Sequence, residues 1–533
     1  MKHSIFLVTA LSAAITLTSC NIADQDGDGT DSRASLNGLV VDGRIAGGEV
    51  WVDMNNDFEI NDFEPSAYTD NQGYYSYNPE SGIDYCALPE SDNSYRYCLE
   101  YSNTEDSITI RIQGGIDLAT GEELKGLMAM SSTISESSQK SSTPLVLSPI
   151  TTVLSAATDE TERQKILTTL NLTEEDLSVD FSEADTPIRQ AMLANAIAIQ
   201  SMIDVLFSAA DDDTFETQIQ EEVIATIAAN IIEESTAPID FTAETLTSLV
   251  AGVSVNSTQQ TTVASRLKTL NNMVSKIADT TDEETISNTI KATEVISQLI
   301  REEASNDDDA SAASKVLGDA NDDADTSISD LVSALTSTFD SQKEYDVASI
   351  TKTLISAGEE AIDNDSSIDT SNAVSEAIID STLAIGNWGG NWFVLQPTGE
   401  NADELEEGSY IAVYLSGDNE TESGSIAVCV NASAADSNDP DEELINEYMS
   451  GTWSKITEGI VTLVIDYEGQ EFEGTMKSKG DSIYRFSTDI EDIDEDGDAI
   501  SLEAAVTAIS SAEIPESADE CASDIDSEIQ AIL

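Results

Sequence analysis

The spacing of apolar positions along this chain changes twice. Over residues 36–113 apolar side chains come in short runs, at 36–41, 49–53, 74–77 and 108–112, separated by Asp, Asn and Gly. Short runs between turn formers predict β-strands, because strand side chains alternate between two faces while Gly, Asn and Asp supply the turn conformations. From about 149 to 385 the apolar positions recur every three or four residues. Val263, Leu267, Leu270, Val274 and Ile277 fall on one face, as do Ile286, Ile290, Ile296 and Ile300. That period predicts roughly eight to ten amphipathic helices. Asp159-x-x-Glu162 and Thr281-x-x-Glu284 have the form of capping boxes at helix starts. Polar breaks near 210–213, 305–313 and 363–370 separate the helices at irregular intervals, which argues against a fixed-period repeat. Few aromatics and many Ala, Ser and Thr predict closely packed, somewhat elongated helices and not one thick core. After 386 strand-like runs return, at 392–395, 410–415, 425–431, 460–467, 471–477 and 482–488.

The expected fold is therefore multidomain α+β. A small β-sandwich occupies 36–130, an all-α helical region 145–385, and an antiparallel β-domain 386–533. The settings Gly-Asn-Trp392 and Gly-Thr-Trp453 give the last segment a faint similarity to a lipocalin-like meander; a generic sandwich with tryptophans in its core is the alternative.

The N-terminus carries Lys2, an apolar run from Ile5 to Leu17, and then Leu17-Thr18-Ser19-Cys20. This resembles the lipobox signal peptide of a bacterial lipoprotein. The resemblance implies removal of residues 1–19, lipid on the Cys20 thiol and a membrane anchor, with 20–35 as a flexible acidic linker. No later stretch approaches the roughly 18 uninterrupted apolar residues of a membrane span. Two or three acyl chains would hold the protein almost permanently, at about 0.8 kcal/mol per buried methylene. Asn21 differs from the aspartate of the inner-membrane retention pattern, so the outer membrane is the expected location.

Composition narrows the partners. With 22 basic and 103 acidic residues the formal charge is −81, which repels nucleic acid and anionic membrane surfaces. Intrinsic disorder is the competing reading of such charge, but 40% of residues are hydrophobic and fall in periodic patterns. The single histidine, His3, lies in the signal peptide, which removes imidazole bases, His-dependent triads and His-ligated metals from the mature chain. Neither a phosphate loop, a Gly-x-Ser-x-Gly elbow nor a Cys-x-x-Cys is present. After Cys20 the cysteines are Cys86, Cys98, Cys429 and Cys521; their spacing in an exported chain favours disulfides Cys86–Cys98 and Cys429–Cys521.

Two acidic runs have cation-loop spacing. Asp492, Asp494, Asp496, Asp498 and Glu503 match a twelve-residue EF-hand loop, with Gly497 at its sharp turn. A strand precedes it where an EF-hand has a helix. The second run is Asp53, Asn55, Asp57, Glu59 through its carbonyl, Asn61 and Glu64. The surrounding passages Gly38–Asp53 and Asp70–Tyr77 resemble the transthyretin-like or Cna-B-like β-sandwich modules of bacterial surface proteins. Gly114–Gly121 and Leu147–Leu154 resemble the segment that follows such modules in large exported proteins of marine bacteria. The loop itself resembles those modules' Asp-x-Asn-x-Asn-Gly-x-x-Asp-x-Gly-Glu-Pro loop, except that Phe58 and Phe63 replace the glycines. Calcium is the cation expected at both places. Asp24, Asp26 and Asp28 begin a similar run, but Ser35 stands where its last ligand would be, which marks linker.

The resulting expectation is a non-enzymatic outer-membrane lipoprotein. It would be exposed at the cell surface, with a binding, adhesion or matrix role toward an unknown protein or polysaccharide and with calcium stiffening its loops. A periplasm-facing assembly lipoprotein and a lipocalin-like carrier of an apolar ligand are the alternatives.

Overall fold

The computed structural model describes residues 34–509 except 62, 90–91, 102–106, 125, 134–143, 210–215, 234–242, 254–258, 305–309, 319–325, 365, 384–385, 387, 389–390, 398–409, 417–422, 433–444, 458, 468–469, 481–482 and 494–498. Arg33–Thr382 forms one compact unit and Leu383–Leu533 belongs to a second.

The first unit opens with short strands: β1 Ala34–Ser35, β2 Gly38–Val40, β3 Ile45–Ala46, β4 Glu49–Asp53, β5 Ser66–Tyr68, β6 Tyr74–Tyr75, β7 Tyr77–Asn78 and β8 Ile83–Asp84. They continue with β9 Glu100–Tyr101, β10 Ser107–Gln113, β11 Ile116–Asp117, β12 Met128–Thr133 and β13 Leu145–Leu147. One sheet has the order β12-β10-β4-β5 and a second has β13-β2-β6. Alternation along the second sheet explains its two burials. Val40, Tyr75 and Leu147 face the first sheet and share a core with Val50, Val52, Ile110, Ile112 and Met128. Their neighbours Leu39, Tyr74 and Val146 point the other way, into the helical core. The Cys86–Cys98 disulfide ties two short 3₁₀ turns beside this sandwich-like pair of sheets.

Eleven α-helices follow among the described residues: α1 Pro149–Ser155, α2 Glu160–Thr169, α3 Pro187–Ser208, α4 Glu216–Glu233, α5 Ala243–Gly252 and α6 Gln260–Ala278. The rest are α7 Glu283–Ala304, α8 Ala310–Leu317, α9 Thr326–Thr338, α10 Val347–Asp363 and α11 Thr370–Ser381. The expected stripe on α6 is buried throughout; on α7 Ile286, Ile296 and Ile300 are buried and Ile290 is partly so. Side chains from all eleven of these helices join one continuous apolar cluster. Helix α3 is long and apolar enough to cross a membrane, yet most of it is buried against its neighbours, as in a core helix.

Local details shift by a residue. Asp159 does cap α2, accepting from Thr161 and Glu162 N–H, but Glu162 reaches back to Thr158 and not to Asp159. For α7 the capping side chain is Asp282, accepting from Thr285 N–H, one residue after the expected Thr281. The break expected at 305–313 already contains the start of α8. The division between 36–130 and 145–385 is not a boundary between compact units. Parallel pairing of β13 with β2 carries the strand layer past residue 145, and helices cover its outer face.

In the second unit eight strands run β14 Asn391–Pro397, β15 Tyr410–Leu415, β16 Ser423–Ala432, β17 Ile445–Lys455, β18 Ile460–Tyr467, β19 Gln470–Gly480, β20 Ile483–Ile493 and β21 Ala499–Ile509. Each pairs antiparallel with the next, and β21 pairs back with β14, so the sheet closes into a barrel. Closure decides between the two expectations for this segment in favour of the barrel. Phe393, Val413, Leu415, Ile426, Val428, Trp453, Val461, Leu463 and Met476 form its apolar core. Trp388 packs against Phe393, and the Trp453 indole donates to the Ser416 carbonyl at 3.1 Å.

Candidate metal centre

Strand β4 ends at Asp53, and the chain then turns through residues 54–64 before Val52 N–H bonds the Pro65 carbonyl. The loop is held by its own acidic oxygens. Asp53 Oδ1 accepts from Asn56 N–H at 2.6 Å, and Asn55 Oδ1 accepts from Asp57 N–H at 3.1 Å. Glu64 reaches back, with Oε1 on Met54 N–H at 2.6 Å and Oε2 on Asn61 N–H at 3.2 Å. Carboxylate oxygens of Asp53, Asp57 and Glu64 thereby lie within 4.8 Å of one another. Ligands on opposite sides of one calcium ion stand about 5 Å apart, so these three fit within a single coordination sphere.

The Asn61 amide marks the middle of the set. Its Nδ2 donates to Asp57 Oδ1 and Oδ2 at 3.3 and 3.1 Å, to the Glu59 carbonyl at 3.2 Å and to Glu64 Oε2 at 3.5 Å. A weakly positive NH₂ group thus occupies the kind of oxygen cage that suits a hard cation. At Asp57 desolvation, the largest single influence, works upward. Hydrogen bonds from Glu59 N–H and from the Asn61 and Asn55 amides outweigh it and hold the carboxyl below the ordinary Asp range. An ionised carboxylate is the form a cation needs.

Phe58 stands where the similar surface-protein loops have glycine, and it takes the glycine-like conformation with φ 69°. That conformation costs a bulky residue roughly 1–2 kcal/mol. A partial offset comes from Arg111 of β10, whose guanidinium lies 3.7 Å from the centre of the Phe58 ring. Arg111 also donates through Nε to Asp53 Oδ2, and both partners are buried. Phe63, at the second glycine position, is instead 62% exposed.

Of the residues expected here, Asp53, Asp57, Asn61 and Glu64 are brought together, with the Glu59 carbonyl beside them. Asn55 contacts Asp57 but is exposed. Arg111 was not anticipated. Its sequence signal is a lone basic residue between Ile110 and Ile112, which places it on the opposite face of β10 from those two core residues.

The second run is arranged otherwise. Asp492 lies near the end of β20 and Glu503 within β21, opposite Ser487, while 494–498 lie outside the described residues. Since Ile493 pairs with Ala499, Glu503 sits about 13 Å further along the strand. Residues 499–503 belong to strand β21, and the centre of the run, 494–498, lies outside the described residues.

Cys429 is disulfide-bonded, and its expected partner Cys521 lies outside the described residues, as do Cys20 and Asp24, Asp26 and Asp28. In comparisons with protein-family models, curated proteins and solved structures, nothing matches this chain.

Proposed function

We propose that this protein is a non-enzymatic binding or adhesion lipoprotein, anchored in the outer membrane through Cys20 and displayed at the cell surface, with calcium stiffening the 53–64 loop. The observation that carries the calcium part is the convergence of Asp53, Asp57 and Glu64 around the Asn61 amide. The anchor and the display rest on the lipobox-like residues 17–20 and on the resemblance of residues 38–77 to surface-protein modules. The partner in this reading is a protein or polysaccharide.

Bound calcium would neutralise Asp53, Asp57 and Glu64 and restrain the loop beyond what its hydrogen bonds achieve. A ligand present at a hundred times its dissociation constant stabilises the folded state by about 2.7 kcal/mol. The expected result is a calcium-dependent rise in the melting temperature of the full chain, abolished by Asp57→Asn and unaffected by Asp496→Asn. Equal melting in calcium and in EDTA would remove the calcium part. Protease shaving of intact cells tests display: survival of the protein until the outer membrane is opened would favour the periplasm-facing alternative.

A carrier role is the second reading, favoured by the closed eight-stranded barrel with its apolar inner face. Barrels of this size are either filled by side chains or hold one small ligand. An apolar compound that co-purifies and quenches Trp388 and Trp453 fluorescence would support it.

A further inference from the structure

One patch on the outer face of the barrel is buried. Strand side chains alternate, so with Phe393, Val413, Leu415, Ile426 and Val428 in the barrel core, Ala412, Tyr414, Ala427 and Cys429 point outward. Ala412 pairs with Cys429 and Tyr414 with Ala427, which gathers the four into one patch across β15 and β16. All four are buried, and Tyr414 is only 7% exposed. A tyrosine on an open sheet face stands roughly perpendicular to the sheet and does not lose its surface to neighbours in the same plane, so a layer of chain lies over the patch. That layer stops short of β17, because Ser450, the partner of Ala427 there, is exposed, and so is Ser425.

A covalent bond on the same patch points to the chain that covers it. Cys429 is disulfide-bonded, and Cys86 and Cys98 are bonded to each other, so of the five cysteines Cys20 and Cys521 remain as partners. Cys20 carries lipid in the function proposed above, and to that extent the inference rests on that reading; Cys521 is then the partner. Residues 510–533 lie outside the described residues, but the register supplies their route. Ile509, the last residue of β21, pairs with Trp392 of β14, Trp392 pairs with Tyr414, and Tyr414 pairs with Ala427. Ala427 is therefore about 14 Å from Ile509 across the strands, and Cys429 is about 7 Å further along β16. The twelve residues 510–521 reach about 40 Å when extended, ample for that distance. The direct path from Ile509 to Cys429 runs over the buried patch. Ile514 and Pro515, the large apolar residues of the segment, fall midway along it, among Glu513, Glu516, Asp519 and Glu520. Pro515 has no N–H to give a ladder, which suits a segment laid across a sheet face.

We propose that the segment after Ile509 crosses the outer face of β14 and β15 as a strap and is fixed to β16 by a Cys429–Cys521 disulfide. The strap spans the seam at which β21, the last strand, pairs with β14, the first. It ties the end of the barrel to its third strand and so braces closure, while Ile514 and Pro515 cover the apolar surface of Ala412, Tyr414 and Ala427. The brace depends on oxidation. A dithiol that exchanges with the disulfide is itself oxidised, returns Cys429 and Cys521 as thiols and frees the strap.

The test is mass-spectrometric peptide mapping of the full, unreduced chain, together with hydroxyl-radical labelling of Tyr414. A Cys429–Cys521 linked peptide is expected, with lipid on Cys20. The same link beside an unmodified Cys20 would remove the lipid anchor and still support the strap, whereas a Cys429–Cys20 link overturns both. Labelling of Tyr414 is expected to be weak in the parent and to rise several-fold in Cys521→Ser and in Ile514→Asp, which keeps the disulfide. Unchanged emission from Trp453, a barrel-core residue, checks that the barrel persists in each variant. Tyr414 labelled in the native parent as strongly as in urea, or protected equally in the parent and both variants, overturns the strap.

Discussion

Arg111 and Phe58 act as a pair on the carboxylate of Asp53. The guanidinium neutralises a buried acid and at the same time supports a phenyl ring held at φ 69°. Removing one partner of a buried ion pair costs about 3–5 kcal/mol, because the remaining charge is left in low dielectric. Arg111→Ala is therefore expected to destabilise the protein by about 3 kcal/mol in EDTA, measured by urea denaturation. In calcium the loss should be clearly smaller, since the ion would take over neutralisation of Asp53. An equal loss in both conditions would mean that Asp53 does not bind the ion. The spacing of the acidic residues was legible in the sequence because ligand positions follow a fixed local count. Arg111 was not, because its contact depends on β10 lying beside β4, which local spacing does not encode.

At the level of elements, the helices meet closely where side chains are small. Gly358 of α10 crosses α8 so tightly that a Cβ would come within 2.5 Å of the Ala312 carbonyl oxygen. A backbone atom cannot swing aside, so Gly358→Ala is expected to cost about 1–3 kcal/mol despite alanine's better helix propensity. Thermal melting of the variant checks this; a gain in stability would show that the two helices part without cost. Strands that are near-continuous apolar runs bounded by polar residues, such as β15 and β18, could be read directly from the sequence at their observed limits. Strand β17 could not, because its same-face positions run Ile445, Glu447, Met449, Gly451, Trp453 and break the apolar pattern. Strand β21 is rich in alanine and closes the barrel through partners on both sides, an influence that outweighs intrinsic propensity. Strand β13 is three residues long and earns its place only by pairing with β2.

For the whole molecule the dominant quantity is charge. A formal −81 makes the folded chain repel itself, and this repulsion is screened over about 10 Å at 0.1 M salt. Raising sodium chloride from low to near-molar concentration is expected to raise the melting temperature, and potassium chloride should match it. A fall with salt would mean that attractive ion pairs such as Arg163–Glu174 outweigh the general repulsion.

The parallel pairing of β2 with β13 also sets an order of events. As the chain is made from its N-terminus, β2 emerges about a hundred residues before the strand that completes its edge. Until β13 arrives, one side of the layer offers unpaired backbone groups to any passing strand. A ribosome-bound or translocating fragment ending near residue 130 would thus be a sticky intermediate, and a holdase that masks strand edges would find its natural client there.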